Sequence, residues 1–305
     1  MDSSNPRRAL PLALLVALRP KQWVKNILLF AALIFSVGHT PGTLVPTEHL
    51  VRAGLAFVAF CLLSSTGYVY NDLRDAEADR NHPKKRFRPI AAREITPTGA
   101  WALMAGCFAG AMAVSWLVGP AFLVVALLYF ATTLSYSTIF KHIVILDVMF
   151  LASCYLWRAA AGAVAIAVHI SPWLLVCSSF GALFLGFNKR RGEILLLEGK
   201  LAGTRKALAH YSPAMLQEFQ AITTSGTVLS YALYTVLGSP KKPWLLVTLP
   251  YVLYGLFRYI YLMDQKGEGS APDETFLRDK PLLATCVLYL LTSLVVLVFA
   301  PDAID

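Results

Sequence analysis

Nine apolar stretches, each close to the length of a bilayer crossing, limit what this 305-residue chain can fold into more than any other feature. They fall at about 26–39, 51–70, 100–118, 121–140, 144–168, 171–188, 219–238, 243–262 and 281–299. A helix needs about 20 apolar residues to cross the hydrocarbon core. The shortest stretch, 26–39, approaches that length by extending back through Gln22. Apolar residue types make up 57% of the chain, well above a soluble domain. The expected fold is therefore an all-α integral membrane protein with nine transmembrane helices. No interval between the stretches is long enough for a soluble domain. The expected organisation is a cytoplasmic N-terminal segment (1–25) carrying an interfacial helix, one membrane domain (26–299), and a short external tail (300–305).

The net charge of +9 orients this bundle. Of 27 Lys and Arg, 22 lie before the first stretch or after the second, fourth, sixth and eighth. Only three lie after the first, third, fifth and seventh, and Arg158 and Arg258 lie inside stretches. The positive-inside rule then puts the N-terminus in the cytoplasm, and an odd count puts the C-terminus outside, in a multi-pass protein of the cell (inner) membrane. A nucleic-acid partner would account for the charge but not for the apolar content, so none is expected. Anionic lipid and phosphorylated substrates suit both. The five cysteines sit in apolar stretches without metal-ligand spacing and read as small buried hydrophobes. Arg7 and Arg8 ahead of ALPLALLVAL resemble a signal peptide, but Arg19-Pro20-Lys21 follows where a cleavage site would stand, which favours an interfacial helix. Trp23 is expected to anchor at the interface. Lys21 and Lys25 beside it suit either a lipid phosphate or plain topology signalling. The oligomeric state stays open, a homo-oligomer included.

Chemistry concentrates where the second stretch ends, at YVYNDLRDAEADRNHPKKRFRPI, residues 68–90. Asn71, Asp75 and Asp79 are four residues apart, so on a helix they share one face, with Asp72 flanking it. Carboxylates grouped this way repel one another unless a cation neutralises them. A few carboxylate oxygens, completed by phosphates, form the shell Mg²⁺ takes. Arg74, Arg80, Lys84, Lys85, Arg86, Arg88 and Arg93 follow or interleave, and such side chains bind phosphate oxygens. A mixed-charge helix end is ordinarily just a solvated face. Ionisable groups in this number at the end of a membrane span favour a site instead, one for a Mg²⁺–diphosphate at the membrane surface.

These residues also carry a resemblance. NDLRDAEAD followed by R-x-x-P-K-x-R-x-R-P-I resembles the first aspartate-rich motif of the UbiA prenyltransferase superfamily. LRPKQWVKN at 18–26, YSTIFKH at 136–142 and LDVMFLASCYLWRAAAG at 146–162 agree with it in order along the chain. The most similar branch is the decaprenyl-phosphate phosphoribosyltransferases. The resemblance implies a UbiA-like bundle whose active-site cavity opens to the cytoplasmic side and to lipid, so that a long isoprenoid tail never enters water. It implies Mg²⁺ on Asn71, Asp72, Asp75 and Asp79. It also gives Tyr136 and Lys141 as the family's tyrosine–lysine pair.

The loop after the sixth stretch departs from the broader superfamily. Aromatic prenyltransferases of the superfamily carry a second aspartate-rich motif there. FNKRRGEILLLEGKLAGTRK contains no aspartate. It offers Lys189, Arg190, Arg191, Glu193 and Glu198. A basic cluster binds a further phosphate directly, where two carboxylates would recruit a second cation. Phosphoribosyl diphosphate has such a phosphate, and a polyprenyl phosphate brings its own. The expected reaction moves 5-phosphoribosyl from the first to the second with release of diphosphate. Asp72, Asp75, Asp79 and Glu193 are the expected catalytic groups. Lys25, Arg80, Lys84, Lys85, Arg86, Arg88, Tyr136, Lys141, Arg158, Lys189 and Arg190 are the expected substrate contacts. Lys189 and Arg190 would take the 5-phosphate, unless the cluster is only a positive-inside signal.

Two alternatives stay open on the sequence. One is prenyl transfer from a prenyl diphosphate to an aromatic or haem acceptor, which the missing second motif disfavours. The other is a transporter or scaffold, which the crowding of charge at the membrane boundary disfavours. Asp147 and Arg158 lie about three helical turns, or roughly 16 Å, apart and so need separate partners. Arg158 suits helix–helix bonding or substrate equally. For Arg258 a structural pairing with Asp264 is expected. His142, His169 and His210 have no metal-ligand spacing.

Overall fold

The computed structural model describes residues 8–36, 45–82, 85–169, 171–197, 206–237, 242–266, 275–276 and 278–300. Lys84, Glu198, residues 1–7 and residues 301–305 lie outside them. Among the described residues all regular structure is helical. In chain order the helices are α1 (Leu10–Leu18), α2 (Ala31–Phe35), α3 (Thr47–Arg74), α4 (Ala76–Arg80), α5 (Pro97–Val118), α6 (Pro120–Thr138), α7 (Leu146–Ala165), α8 (Pro172–Leu197), α9 (Pro213–Leu237), α10 (Leu249–Lys266) and α11 (Lys280–Phe299). Short 3₁₀ segments link several of them.

Helix boundaries follow local chemistry. α5 starts at Thr96, whose hydroxyl accepts the Gly99 N–H at 3.1 Å, with Pro97 in the first turn. It ends at Gly119, whose φ of 142° turns the chain directly into α6 behind Pro120. α11 is capped by Asp279, which accepts the Leu282 N–H at 2.9 Å.

Among the described residues six helices are long and apolar enough to cross a membrane: Thr47–Arg74, Pro97–Val118, Pro120–Thr138, Leu146–Ala165, Pro243–Gln265 and Lys280–Phe299. α8 and α9 are comparably long but fall outside these six. α8 runs on through Lys189, Arg190, Arg191 and Glu193, and α9 carries a row of Thr and Ser. The first expected span takes a different form from a continuous helix. α1 stops at Arg19, which adopts a left-handed φ of 54° ahead of Pro20. The chain then runs as a 3₁₀ segment over Pro20–Phe30 before α2. Proline explains the break, because it disfavours helical backbone in the residue before it.

α3 and α7 form the centre. Phe60 and Leu63 of α3 pack with Phe122, Ala126 and Tyr129 of α6, Ala111 of α5 and Ala161 and Ala165 of α7. The 3₁₀ segment crosses α7 at Gly162, where a Cβ would lie 2.0 Å from the Leu29 carbonyl oxygen. Only glycine admits that approach, and it seats the segment carrying Lys25 and Asn26 against the core.

Candidate active site

The charged end of α3 continues into α4 with an almost unbroken helical path. Asp75 N–H donates to Asn71 O at 2.9 Å and Asp79 N–H to Asp75 O at 2.8 Å. The carboxylates nevertheless divide differently from the expected face. Asp72 and Asp79, two turns apart, are both buried and converge on one guanidinium nitrogen: Arg88 Nη1 lies 3.1 Å from Asp72 Oδ1 and 2.6 Å from Asp79 Oδ2. Arg19 adds a second ion pair to Asp72, and Lys85 Nζ stands 3.9 Å from Asp79. Asp75 is half-exposed and faces Lys141 Nζ at 3.8 Å. Asp75 thus parts from the other two because 100° per residue places it off the line joining residues two turns apart.

Among the described residues no three His, Cys, Asp or Glu side chains group closely enough to hold a metal alone. Two carboxylates sharing one positive point still form a hard-oxygen pair. This fits Mg²⁺, which binds one or two carboxylates and takes its remaining ligands from phosphate and water.

The turns of α3 just before Asp72, through Ser64, Gly67 and Asn71, line a cavity of about 120 Å³. Four expected site residues line it together: Lys25, Asn71, Tyr136 and Arg158. Arg158 is 4% exposed and fully engaged. Its Nε donates to Asn26 Oδ1 at 2.8 Å, Nη1 to Cys154 O at 2.9 Å and Nη2 to the Tyr129 hydroxyl at 2.9 Å. It ties helices together and also lines the cavity.

Arg190 requires a correction. It is a sequence candidate for the 5-phosphate, but it is 1% exposed. Nε donates to Asp147 Oδ2 at 2.7 Å, Nη1 to Glu193 Oε2 at 2.6 Å and Nη2 to the Tyr136 hydroxyl at 3.4 Å. Every guanidinium nitrogen has a protein acceptor, so Arg190 organises Glu193 and Tyr136 and is not free to take a phosphate. Tyr211 completes the cluster by donating to Asp147 Oδ1 at 2.6 Å. Burial and that carboxylate hold the Tyr211 hydroxyl well above its ordinary pKa of 10.0. Lys189 beside it is half-buried. Asp147 and Arg158 do have separate partners, as their spacing requires. Arg258 pairs with Asp279, at 2.8 Å, rather than with Asp264, which pairs with Arg191 at 2.6 Å.

Arg80 also departs from expectation. With Arg74 and Arg93 it lines a second, open recess beside α3 and α4. Arg86 is exposed, its guanidinium over the Phe87 ring. Trp23, expected at the interface, is half-buried and donates from Nε1 to Ser65 Oγ at 3.1 Å. Sequence reading missed Arg19, Asn26, Tyr129 and Tyr211. Asn26 had a signal, an amide beside Lys25 in an apolar stretch. The others are chosen by packing.

The UbiA prenyltransferase family model matches residues 26–278. The chain is 36% identical over 284 residues to the decaprenyl-phosphate phosphoribosyltransferase of Corynebacterium glutamicum, covering 91% of this chain and 84% of that one. It is 33% identical to the enzyme of the same name from Mycolicibacterium smegmatis, covering 92% and 91%. A UbiA homologue from Archaeoglobus fulgidus bound to GPP and Mg²⁺ shares the fold with a TM-score of 0.72 at 19% identity, over 93% of this chain and 99% of that one.

Proposed function

Because the chain belongs to the UbiA prenyltransferase family and is a multi-pass membrane protein, we propose that it transfers 5-phosphoribosyl from phosphoribosyl diphosphate to a polyprenyl phosphate, releasing diphosphate. The observation that carries this reading is likeness over most of the chain to decaprenyl-phosphate phosphoribosyltransferases. The aspartate-free loop after residue 188 is in keeping with it.

Asp72 and Asp79 would hold the Mg²⁺, with Asn71 and Asp75 nearby, and Arg88, Arg19 and Lys85 would contact the diphosphate. Once bound, Mg²⁺ would neutralise the diphosphate as it leaves. Arg88 already bridges both carboxylates, so one rotation of its guanidinium would move it from them to phosphate oxygens. Lys25, Tyr136 and Arg158 line the adjoining cavity and would orient ribose and acceptor. Lys141, paired with Asp75, sets that carboxylate's position. Lys189 remains the candidate for the 5-phosphate, with Glu193 aimed by Arg190 toward ribose hydroxyls. The acceptor phosphate is anionic at neutral pH and needs no general base, so positioning and electrostatics supply the rate.

The reading retains nine crossings over 26–299, preceded by the segment 1–25 and followed by 300–305. It keeps the N-terminus and the cavity mouth on the cytoplasmic side of the cell membrane, on the strength of the Lys and Arg distribution. Homo-oligomerisation is compatible with it.

The deciding experiment is turnover by purified protein in detergent. Polyprenyl phosphate and phosphoribosyl diphosphate should give polyprenyl phosphoribose, and chelation of Mg²⁺ should stop it. Prenyl transfer to an aromatic acceptor, with no use of phosphoribosyl diphosphate, would reject the reading.

A further inference from the structure

The face of α3 and α4 that flanks Asp72 and Asp79 carries its own set of charges. Leu73, Glu77 and Arg80 succeed one another at helical spacing there, away from the carboxylates that meet Arg88. With Arg74, Arg93 and Trp101 they line an open recess of about 860 Å³. Its floor is apolar, formed by Leu73 and the buried Ile90 and Ile95. Its rim is three arginines offset by Glu77. Two of the guanidiniums are anchored: Arg74 Nη1 donates to Ser137 O at 2.6 Å, and Arg80 Nε to Ala91 O at 3.3 Å. Arg93 is exposed and stands on a left-handed backbone with φ of 57°, its N–H donating to Ile90 O at 3.2 Å while its guanidinium has no partner among the described residues. That conformation is costly for a residue with a Cβ, and such cost concentrates at functional positions.

We propose that Arg74, Arg80 and Arg93 form a second phosphate site, separate from the diphosphate site, which holds the headgroup of an anionic phospholipid of the surrounding bilayer. The recess straddles the point where the apolar spans of α3 and α5 give way to the charged segment 71–96. Trp101, in the first turns of α5, is 52% exposed beside it, and an amphipathic indole favours the headgroup level. A free phosphate would meet only exposed guanidiniums, which salt screens. A phospholipid adds apolar contact with the floor and with Trp101, and a bilayer supplies it at high local concentration. Arginines close to an anionic membrane surface add to the attraction.

Native mass spectrometry of the full-length protein in detergent tests this without reference to turnover. Phosphatidylglycerol should be retained in preference to phosphatidylcholine of the same chain length. Arg93→Gly removes the charge while suiting the left-handed backbone, so the fold is not put at risk. It should weaken phosphatidylglycerol binding about tenfold, the loss expected for one charge-assisted contact, and leave phosphatidylcholine unchanged. Arg93→Lys should retain most of the preference. Equal retention of the two lipids, or an unchanged preference in Arg93→Gly, would overturn the site. Loss of bound phosphatidylglycerol on adding millimolar inorganic phosphate or phosphoribosyl diphosphate would overturn the lipid assignment in favour of a soluble phosphate ligand.

Discussion

Arg190 and Asp147 meet at 2.7 Å across the packed helices α7 and α8, each side chain 1% exposed. A buried pair of this kind stands or falls together. Removing one partner strands a charge in a medium that cannot solvate it. Arg190→Ala should therefore destabilise the protein by about 3–5 kcal/mol, whereas Lys189→Ala, on the half-buried neighbour, should cost under about 1 kcal/mol. Thermal unfolding in detergent separates the two. An Arg190→Ala variant with wild-type stability would return Arg190 to the pool of phosphate ligands.

Lys189→Ala is the matching kinetic test. If Lys189 contacts the 5-phosphate, its loss should raise the apparent KM for phosphoribosyl diphosphate by about tenfold. The KM for polyprenyl phosphate should move much less. Equal changes for both substrates would assign Lys189 to loop shape.

The carboxylates at the end of α3 should not be equivalent. Asp72→Asn and Asp79→Asn each remove a charge from the pair that shares Arg88. Turnover should fall by about a hundredfold or more, with the apparent Mg²⁺ requirement raised. Asp75→Asn changes a half-exposed group facing Lys141 and should cost less. Identical losses at all three positions would mean that Asp75 turns inward when the metal binds.

Asn26 and Arg158 are 132 positions apart in the chain and 2.8 Å apart in space. A double-mutant cycle on Asn26→Ala and Arg158→Ala should return a coupling energy of about 0.5–3 kcal/mol in unfolding. Arg158→Lys should not rescue, since a single ammonium cannot reach Asn26, Cys154 O and Tyr129 together. Strict additivity would remove the bond from the account.

Tyr211 gives the bundle an alkaline limit. Burial and the bond to Asp147 raise its pKa well above 10.0. Above the unfolded-state value the folded chain keeps a proton that the unfolded chain releases, so stability falls as pH rises. Tyr211→Phe should be less stable near neutral pH by about 1 kcal/mol for its lost hydrogen bonds. It should also lose stability less steeply above about pH 10. Parallel Tm–pH curves for the two proteins would exclude Tyr211 as a source of that slope.

Much of the architecture was legible in sequence because it is written locally. Apolar runs and the Arg19-Pro20 break each act within a few residues. The aspartate-rich segment was equally legible, since its spacing and its place at a span end are both linear facts. Lys25, Asn71, Tyr136 and Arg158 were singled out separately and meet in one cavity. Arg19-Pro20 was also visible, but its consequence was not. A proline break reads as a turn, and only the contact at Gly162 lets a 3₁₀ segment continue against the core.

Partner choice belonged to the tertiary structure. Arg190 stood beside Lys189 as a phosphate candidate, and the rotation of α8 put it against Asp147. Asp264 was the near neighbour of Arg258 in sequence, yet Asp279 reached it and Arg191 took Asp264. Helical period assigns a residue to a face but not the face to a neighbour. An ion pair in a dry interior depends on a few tenths of an ångström between side chains of different helices. Sequence therefore determined that this chain would be a helical membrane bundle with a carboxylate–arginine cluster at one end. Which charges remain available to a substrate was decided by packing, because burial commits a charge to the nearest opposite group whatever its distance along the chain.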